Sequence, residues 1–412
     1  MNDNTIMVWF RNDLRIYDNE VISGALRKAE RILPVYIFDP YYFGKNEYGF
    51  FRTGSFRGRF LLESVAALRA KFRAAGSDLI VRTGDPADLI PRLAEQYQVS
   101  SVYHHAEMTP YENAVSGKTE QLLWKMQITL RYFSPDTLYR KEDLPFRISD
   151  IPDDFGVFKK KLIRDSQIRP LMTEVHDLRT PVILNPGEIP ILSKLGVPAS
   201  CIDPAVGGRY TGGEEAAFAR LHALQTALTN GYTNICPDDL TPWLTFGCIS
   251  PARIFWSITR SVSGKHTGFT GKVVCGLIRR DHYKFLFKRK QLEAKADLNE
   301  ETAKMSGRQK KVFEQWKNGE TGESSVDAAM KELNATGHLN NVSREITALY
   351  LIRNLNKHWK KGAALYEERL IDYSLSIDSG HWHRLAGVEK KEKKARLTFS
   401  ESPEILYDRP HQ

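Results

Sequence analysis

The chain has 412 residues, 42% hydrophobic and 26% charged, with a formal net charge of +9. That length exceeds one ordinary core and implies two domains, and the composition is that of a soluble globular protein rather than a disordered or fibrous one. No apolar run approaches the roughly 20 residues of a membrane span, and the N-terminus lacks the basic-then-apolar pattern of a signal peptide.

Residues 5–134 alternate strand and helix signals. Short Val- and Ile-rich runs at Thr5–Phe10, Arg31–Phe38, Asp78–Arg82, Ser101–His104 and Ile128–Phe133 read as strands. Helical patterns at Phe56–Ala75, Pro86–Tyr97 and Glu112–Lys125 lie between them. This βα alternation predicts a doubly wound parallel sheet, in which ligands sit beyond the carboxyl ends of the strands. Arg11, Asn12, Asp13 and Arg15 follow the first strand and belong to that edge. No G-x-G-x-x-G or Walker sequence is present, so the usual dinucleotide and NTP readings have no support.

Residues 135–205 read as a loop-like connection, with five prolines between Pro181 and Pro204. From Gly213 onward the pattern is helical, which makes residues 206–412 an all-α domain. The four cysteines (Cys201, Cys236, Cys248, Cys275) are widely spaced with no C-x-x-C. They fit free thiols in a reducing cytoplasm and no metal centre. The net charge permits a nucleic-acid partner without requiring one. Of two Lys-rich runs, Lys390–Arg396 reads as a solvated tail. Lys284–Lys290 interleaves aromatics with cations and reads as a surface that meets phosphates.

The stretch from Thr321 to Val388 organises the helical half. A helix at Val326–Leu333 ends in a turn around Gly337, a second is predicted over Ser343–Trp359, and a third over Ala363–Ile371. Arg344 falls in the first turn of the second, where a cation opposes the helix dipole and needs a carboxylate; Asp372 is the nearest candidate.

These residues resemble the flavin-binding core of the cryptochrome/photolyase family. V-W-F-R-N-D-L-R-x-x-D-N at Val8–Asn19 resembles the DASH cryptochrome branch, and P-W-L-T-F-G-C-I-S-P at Pro242–Pro251 resembles a further family motif. The resemblance implies FAD held by the Arg344–Asp372 pair, with Thr241 and Asn341 among its contacts. It places Asp378, four residues before Trp382, against flavin N5, where a carboxyl can donate a proton. The ordinary alternative for Asp378 is a turn residue in I-D-S-G. Trp382 and Trp359 match the proximal and middle members of an electron-transfer series. No tryptophan stands at residues 302–306, where the distal one belongs. H-x-E-x-T at His105–Thr109 makes Glu107 the contact for a 5,10-methenyltetrahydrofolate antenna, since a carboxylate accepts the paired N–H donors of a pterin. The alternative for Glu107 is an exposed loop residue.

Several positions depart from the family. Pro237-Asp238-Asp239-Leu240-Thr241 replaces a hydroxyl-rich, basic run that holds the FAD diphosphate, and two carboxylates there are expected to repel it. Ser374 replaces an aspartate. Gly276 and Arg279 replace the Glu and Trp that bind a pyrimidine dimer, and Arg280 is expected to pair with buried Asp281. The leading reading is a monomeric, cytoplasmic DASH-type flavoprotein photoreceptor, with residual repair or binding of single-stranded DNA. The competing one is a flavin-free binding module for folate, nucleotide or nucleic acid.

Overall fold

A computed structural model describes residues 4–173, 175, 177–197, 210–230, 237–261, 268–293, 305–355 and 358–387. Five parallel strands, β1 (Thr5–Phe10), β2 (Arg31–Phe38), β3 (Ile80–Thr83), β4 (Ser101–His105) and β5 (Thr129–Phe133), form one sheet in the order β3-β2-β1-β4-β5. The order reverses between β1 and β4, the switch point of a doubly wound sheet. Period-two alternation assigns the two faces. Ile6, Val8 and Phe10 join a core that continues into the helical half through Leu221, Trp243 and Ile254. Met7 and Trp9 point the other way, into a smaller core with Ile90 and Leu123. Helices α1 (Glu20–Leu26), α2 (Ser55–Ala74), α3 (Pro86–Gln96) and α4 (Pro110–Lys125) cross between strands.

The connection is more structured than its sequence suggests. It carries α5 (Phe155–Asp165), whose Phe158 and Leu162 are buried. Its proline-rich part runs along β3, with the Val81 N–H donating to the Pro186 carbonyl at 2.7 Å.

The helical half comprises α6 (Glu214–Thr229), α7 (Thr241–Thr245), α8 (Pro251–Ser261), α9 (Gly268–Glu293), α10 (Gly307–Asn318), α11 (Ser324–Thr336), α12 (Asn341–Leu355), α13 (Trp359–Arg369) and α14 (Leu375–Leu385). Helix α11 stops at Gly337, whose φ of +72° is the left-handed C-cap that glycine adopts without strain. The segment expected as one helix from Ser343 to Trp359 is two: α12 ends at Leu355, and Trp359 opens α13. A separate core of Phe313, Trp316, Leu351, Tyr366 and Trp382 holds α10–α14 together.

The two sequence motifs that mark the family meet each other. Arg15 donates to the Gly247 carbonyl at 2.9 Å and to both oxygens of Asp136 at 3.0 and 3.2 Å. The Leu14 N–H donates to the Phe246 carbonyl at 3.0 Å. Asp18 accepts from Ser250 Oγ and from Arg169 at 2.6 and 2.8 Å. Glu214, at the start of α6, accepts the N–H groups of Ile16 and Tyr17 at 3.1 and 2.9 Å. Much of the Val8–Asn19 motif therefore docks the sheet onto the helices.

Candidate functional site

The site lies where α12, α14 and the turn before α14 converge. The Asn340 side chain accepts the Ser343 N–H at 2.9 Å and starts α12, placing Arg344 in its first turn. Arg344 Nη2 contacts both oxygens of Asp372 at 2.5 and 2.6 Å, and its Nε donates to the Leu339 carbonyl at 3.0 Å. Burial opposes charge on Asp372, yet Arg344 holds its carboxyl below the usual carboxylate range. Thr241 Oγ1 donates to Asp372 Oδ2, and Thr245 Oγ1 to the Asp372 backbone carbonyl at 3.1 Å. Thr241 is thus placed on the Arg344–Asp372 pair. Asn341 is the exposed first residue of α12.

Asp378 is a helical residue in the first turn of α14, which removes the turn reading. Its Oδ2 accepts the Ser374 N–H at 2.7 Å, while its Oδ1 has a longer contact, 3.4 Å, with Arg344 Nη1. Burial pushes its carboxyl up to about 6, against the opposing pull of Arg344. One arginine between two buried carboxylates leaves acceptor capacity on Asp378 Oδ1. Three residues on, His381 Nε2 is buried without a hydrogen-bond partner, and burial among Arg384, Arg344 and Arg279 keeps its ring neutral. These unfilled polar atoms fit a planar, hydrogen-bonding ring such as a flavin.

Trp382 and Trp359 stack with centroids 6.1 Å apart and planes at 13°. Sequence reasoning missed Tyr366, which packs edge-on against Trp382 at 5.2 Å and stacks on Trp316 at 6.0 Å. Its place in α13, seven residues after Trp359 and so on the same face, was the available signal. Of residues 302–306, only Met305 and Ser306 are described.

Three expectations are corrected. Asp239 carries a charge with a partner of its own: its side chain accepts from Arg220 of α6 and from the Tyr210 hydroxyl at 3.2 Å. The expected repulsion at this position is therefore neutralised; the Asp238 side chain lies outside the described residues. Arg280 is half-buried and its hydrogen bonds run to the backbone carbonyls of Asp136 and Leu244 at 2.7 and 3.0 Å, while Asp281 accepts the Tyr139 N–H at 2.9 Å, so the two interact through charge without the expected hydrogen-bonded pair. Lys284–Lys290 is not an open basic surface: Phe285 and Leu286 are core, and Lys284 donates to the Asp136 carbonyl at 3.2 Å. The Lys390–Arg396 run lies outside the described residues.

On the lesion side, a Cβ at Gly276 would meet nothing within 4 Å, and the Arg279 guanidinium lies 4.1 Å from the Phe155 ring. At the sheet edge, Glu107 Oε1 accepts from Asn12 at 3.0 Å, and the same Asn12 amide reaches Glu112 at 3.5 Å. Burial, then the neighbouring Glu112, pushes Glu107 up to about 8. Arg11 stays charged despite burial because both glutamates face it, and it donates to Ser116 at 3.0 Å.

Among the described residues, no helix is long and apolar enough to cross a membrane, and no group of His, Cys, Asp or Glu could hold a metal ion. Residues 6–181 match the family described as DNA photolyase, and residues 274–402 match the FAD binding domain of DNA photolyase. Cryptochrome DASH of Gloeobacter violaceus is 36% identical over 94% of this chain and 80% of its own length. The Danio rerio protein of that name is 34% identical over 95% and 78%. The solved structure of Synechocystis sp. PCC6803 cryptochrome superposes with a TM-score of 0.85 at 31% identity, covering 95% of this chain and 84% of that one. The chain belongs to the DNA photolyase and cryptochrome family and is a flavoprotein of that type.

Proposed function

We propose that this flavoprotein is a cytoplasmic blue-light photoreceptor of the DASH type rather than an efficient pyrimidine-dimer repair enzyme. The observation that carries the reading is the buried Arg344–Asp372–Asp378 cluster backed by the Trp382–Trp359 stack. FAD would supply light absorption and electron acceptance. Arg344 and Asp372 would orient its ring, with Thr241 fixing Asp372 and Asn341 at the rim. Asp378, protonated below about pH 6, holds a proton beside the ring. Trp382 passes an electron inward and draws one from Trp359. Arg220 lowers the negative charge that the acidic loop would present to a diphosphate. Glu107, at the sheet edge beside Asn12, offers a site for a 5,10-methenyltetrahydrofolate antenna, whose paired N–H donors would have to draw its raised carboxyl into the ionised form.

Against efficient repair stand Gly276 and Arg279, which supply neither a carboxylate for a dimer carbonyl nor a ring to stack on damaged bases. Single-stranded DNA remains the nucleic-acid partner this reading assigns, bound with little catalysis. The test is illumination of the purified, FAD-loaded protein under anaerobic conditions, with and without a dimer-containing single strand. Bleaching of the flavin band with few dimers reversed is expected. Rapid dimer reversal would overturn the photoreceptor reading, and absence of bleaching would overturn the electron path.

A further inference from the structure

Helix α5 presents the charge that the Lys284–Lys290 stretch of α9 does not. Its Phe158 and Leu162 turn inward, while Lys160 and Lys161 are exposed and Lys159 is half-buried. The carboxylates beside these lysines are engaged elsewhere. Asp154 accepts the Val157 N–H at 2.8 Å, Asp165 takes Arg164 at 2.6 and 2.7 Å, and Asp153 takes Arg289. Among the described residues, Lys159, Lys160, Lys161 and Arg279 form no ion pair. Aromatic rings position these cations instead. The Arg279 guanidinium lies 4.1 Å and the Lys159 ammonium 5.8 Å from the centroid of the same Phe155 ring. Lys161 lies 5.3 Å from Phe146, which stacks on Phe158 at 5.8 Å. A ring attracts a cation without neutralising it, so each keeps its full charge for an anion. Two cations on one ring also repel each other, and a bound anion relieves that repulsion.

We propose that α5 and Arg279 form a phosphate-binding face for single-stranded nucleic acid, an inference that rests on the nucleic-acid partner assigned above and gives it a place. Unpaired cations set among rings suit a flexible polyanion. Arg279 offers a planar fork that matches two phosphate oxygens, and the lysines of α5 add point charges along the strand. The face is open on its α9 side, where a Cβ at Gly276, on the turn before Arg279, meets nothing within 4 Å. One turn beyond Arg279, the Tyr283 ring lies 6.4 Å from that of His381 and packs against Gly380, so the cationic face ends beside the flavin-type site. In the sequence this face is masked. Its lysine run is short, and Asp153, Asp154 and Asp165 cancel its charge until the fold gives each of them another partner.

The test is fluorescence anisotropy of labelled oligothymidine with the full-length protein across a range of salt concentrations. On a single strand each phosphate contact contributes about 0.7 to the slope of log affinity against log salt. A triple variant, Lys159→Gln with Lys161→Gln and Arg279→Gln, should lower that slope by roughly 2. Lys160→Gln alone, at an exposed position that leaves the core untouched, should lower it by about 0.7. The control is Lys118→Gln, which removes an exposed charge from α4 and should leave the slope unchanged. Slopes equal to wild type in the triple variant and in Lys160→Gln would overturn the proposal. An equal fall per charge in Lys118→Gln would overturn it too, as an effect of net charge alone. Binding of polyglutamate as tight as that of oligothymidine would assign the face to an acidic protein and reject the phosphate. Absence of oligothymidine binding by wild type at low salt would instead overturn the nucleic-acid reading on which the proposal rests.

Discussion

Asp378 carries opposing forces that can be measured. Its carboxyl is raised from an ordinary value of 3.8 to about 6, because burial outweighs Arg344. An acid with a raised pKa binds its proton more tightly in the folded state. Its contribution is therefore complete below about pH 4 and is lost as pH rises through about 6, to the extent of roughly 3 kcal/mol. In the flavin-free protein, Asp378→Asn should match wild type near pH 4 and exceed it in stability at pH 7, as read from denaturant melts. A pH-independent difference would contradict this. Asp372→Asn acts the other way: it removes the closer of the two carboxylates on half-buried Arg344 and leaves only the longer contact with Asp378, at a cost of up to roughly 3–5 kcal/mol, and should abolish FAD retention on a desalting column. The Arg344–Asp372 pair was legible in the sequence because a cation in a first helical turn needs a partner. The Arg220–Asp239 pair was not. Its members stand 19 residues apart, on α6 and in the turn before α7, and only the fold brings them together.

Helix α9 shows why charge along a helix is a poor guide to surface. Read alone, Lys284–Lys290 is a basic stripe. In place, the helix packs against α5, α8 and α14, so Lys284 is half-buried and its pKa falls to about 8, first from desolvation and then from Arg280. The division between α12 and α13 was only weakly signalled. Residues 350–359 contain neither Gly nor Pro, and the stop signal is Asn356, directly after the last α12 residue, Leu355. The break starts α13 at Trp359, on the Trp382 ring. The docking of the two family motifs depends on Gly247, at φ +62°, where a Cβ would sit 2.0 Å from the Asn12 carbonyl oxygen. Gly247→Ala should cost at least roughly 1–3 kcal/mol from backbone strain alone, seen as a lowered melting temperature. An unchanged melting temperature would show that the interface adapts.

Taken together, the chain places a flavin-type site in one half and a sheet-edge carboxyl cluster in the other, joined by the Arg15, Asp18 and Glu214 contacts. The parallel sheet was legible because its strands alternate with amphipathic helices, and all five strands fall within two residues of where the sequence puts them. The competing flavin-free reading drew on an acidic loop whose Asp239 is neutralised by Arg220. The measurement that decides between the two is the absorption spectrum of the purified protein and of the supernatant after heat release. Flavin should appear in both, and the protein's blue band should bleach under blue light in wild type but not in Trp382→Phe. A colourless protein that takes up no added FAD would contradict the assignment of Arg344, Asp372 and Asp378 to a flavin.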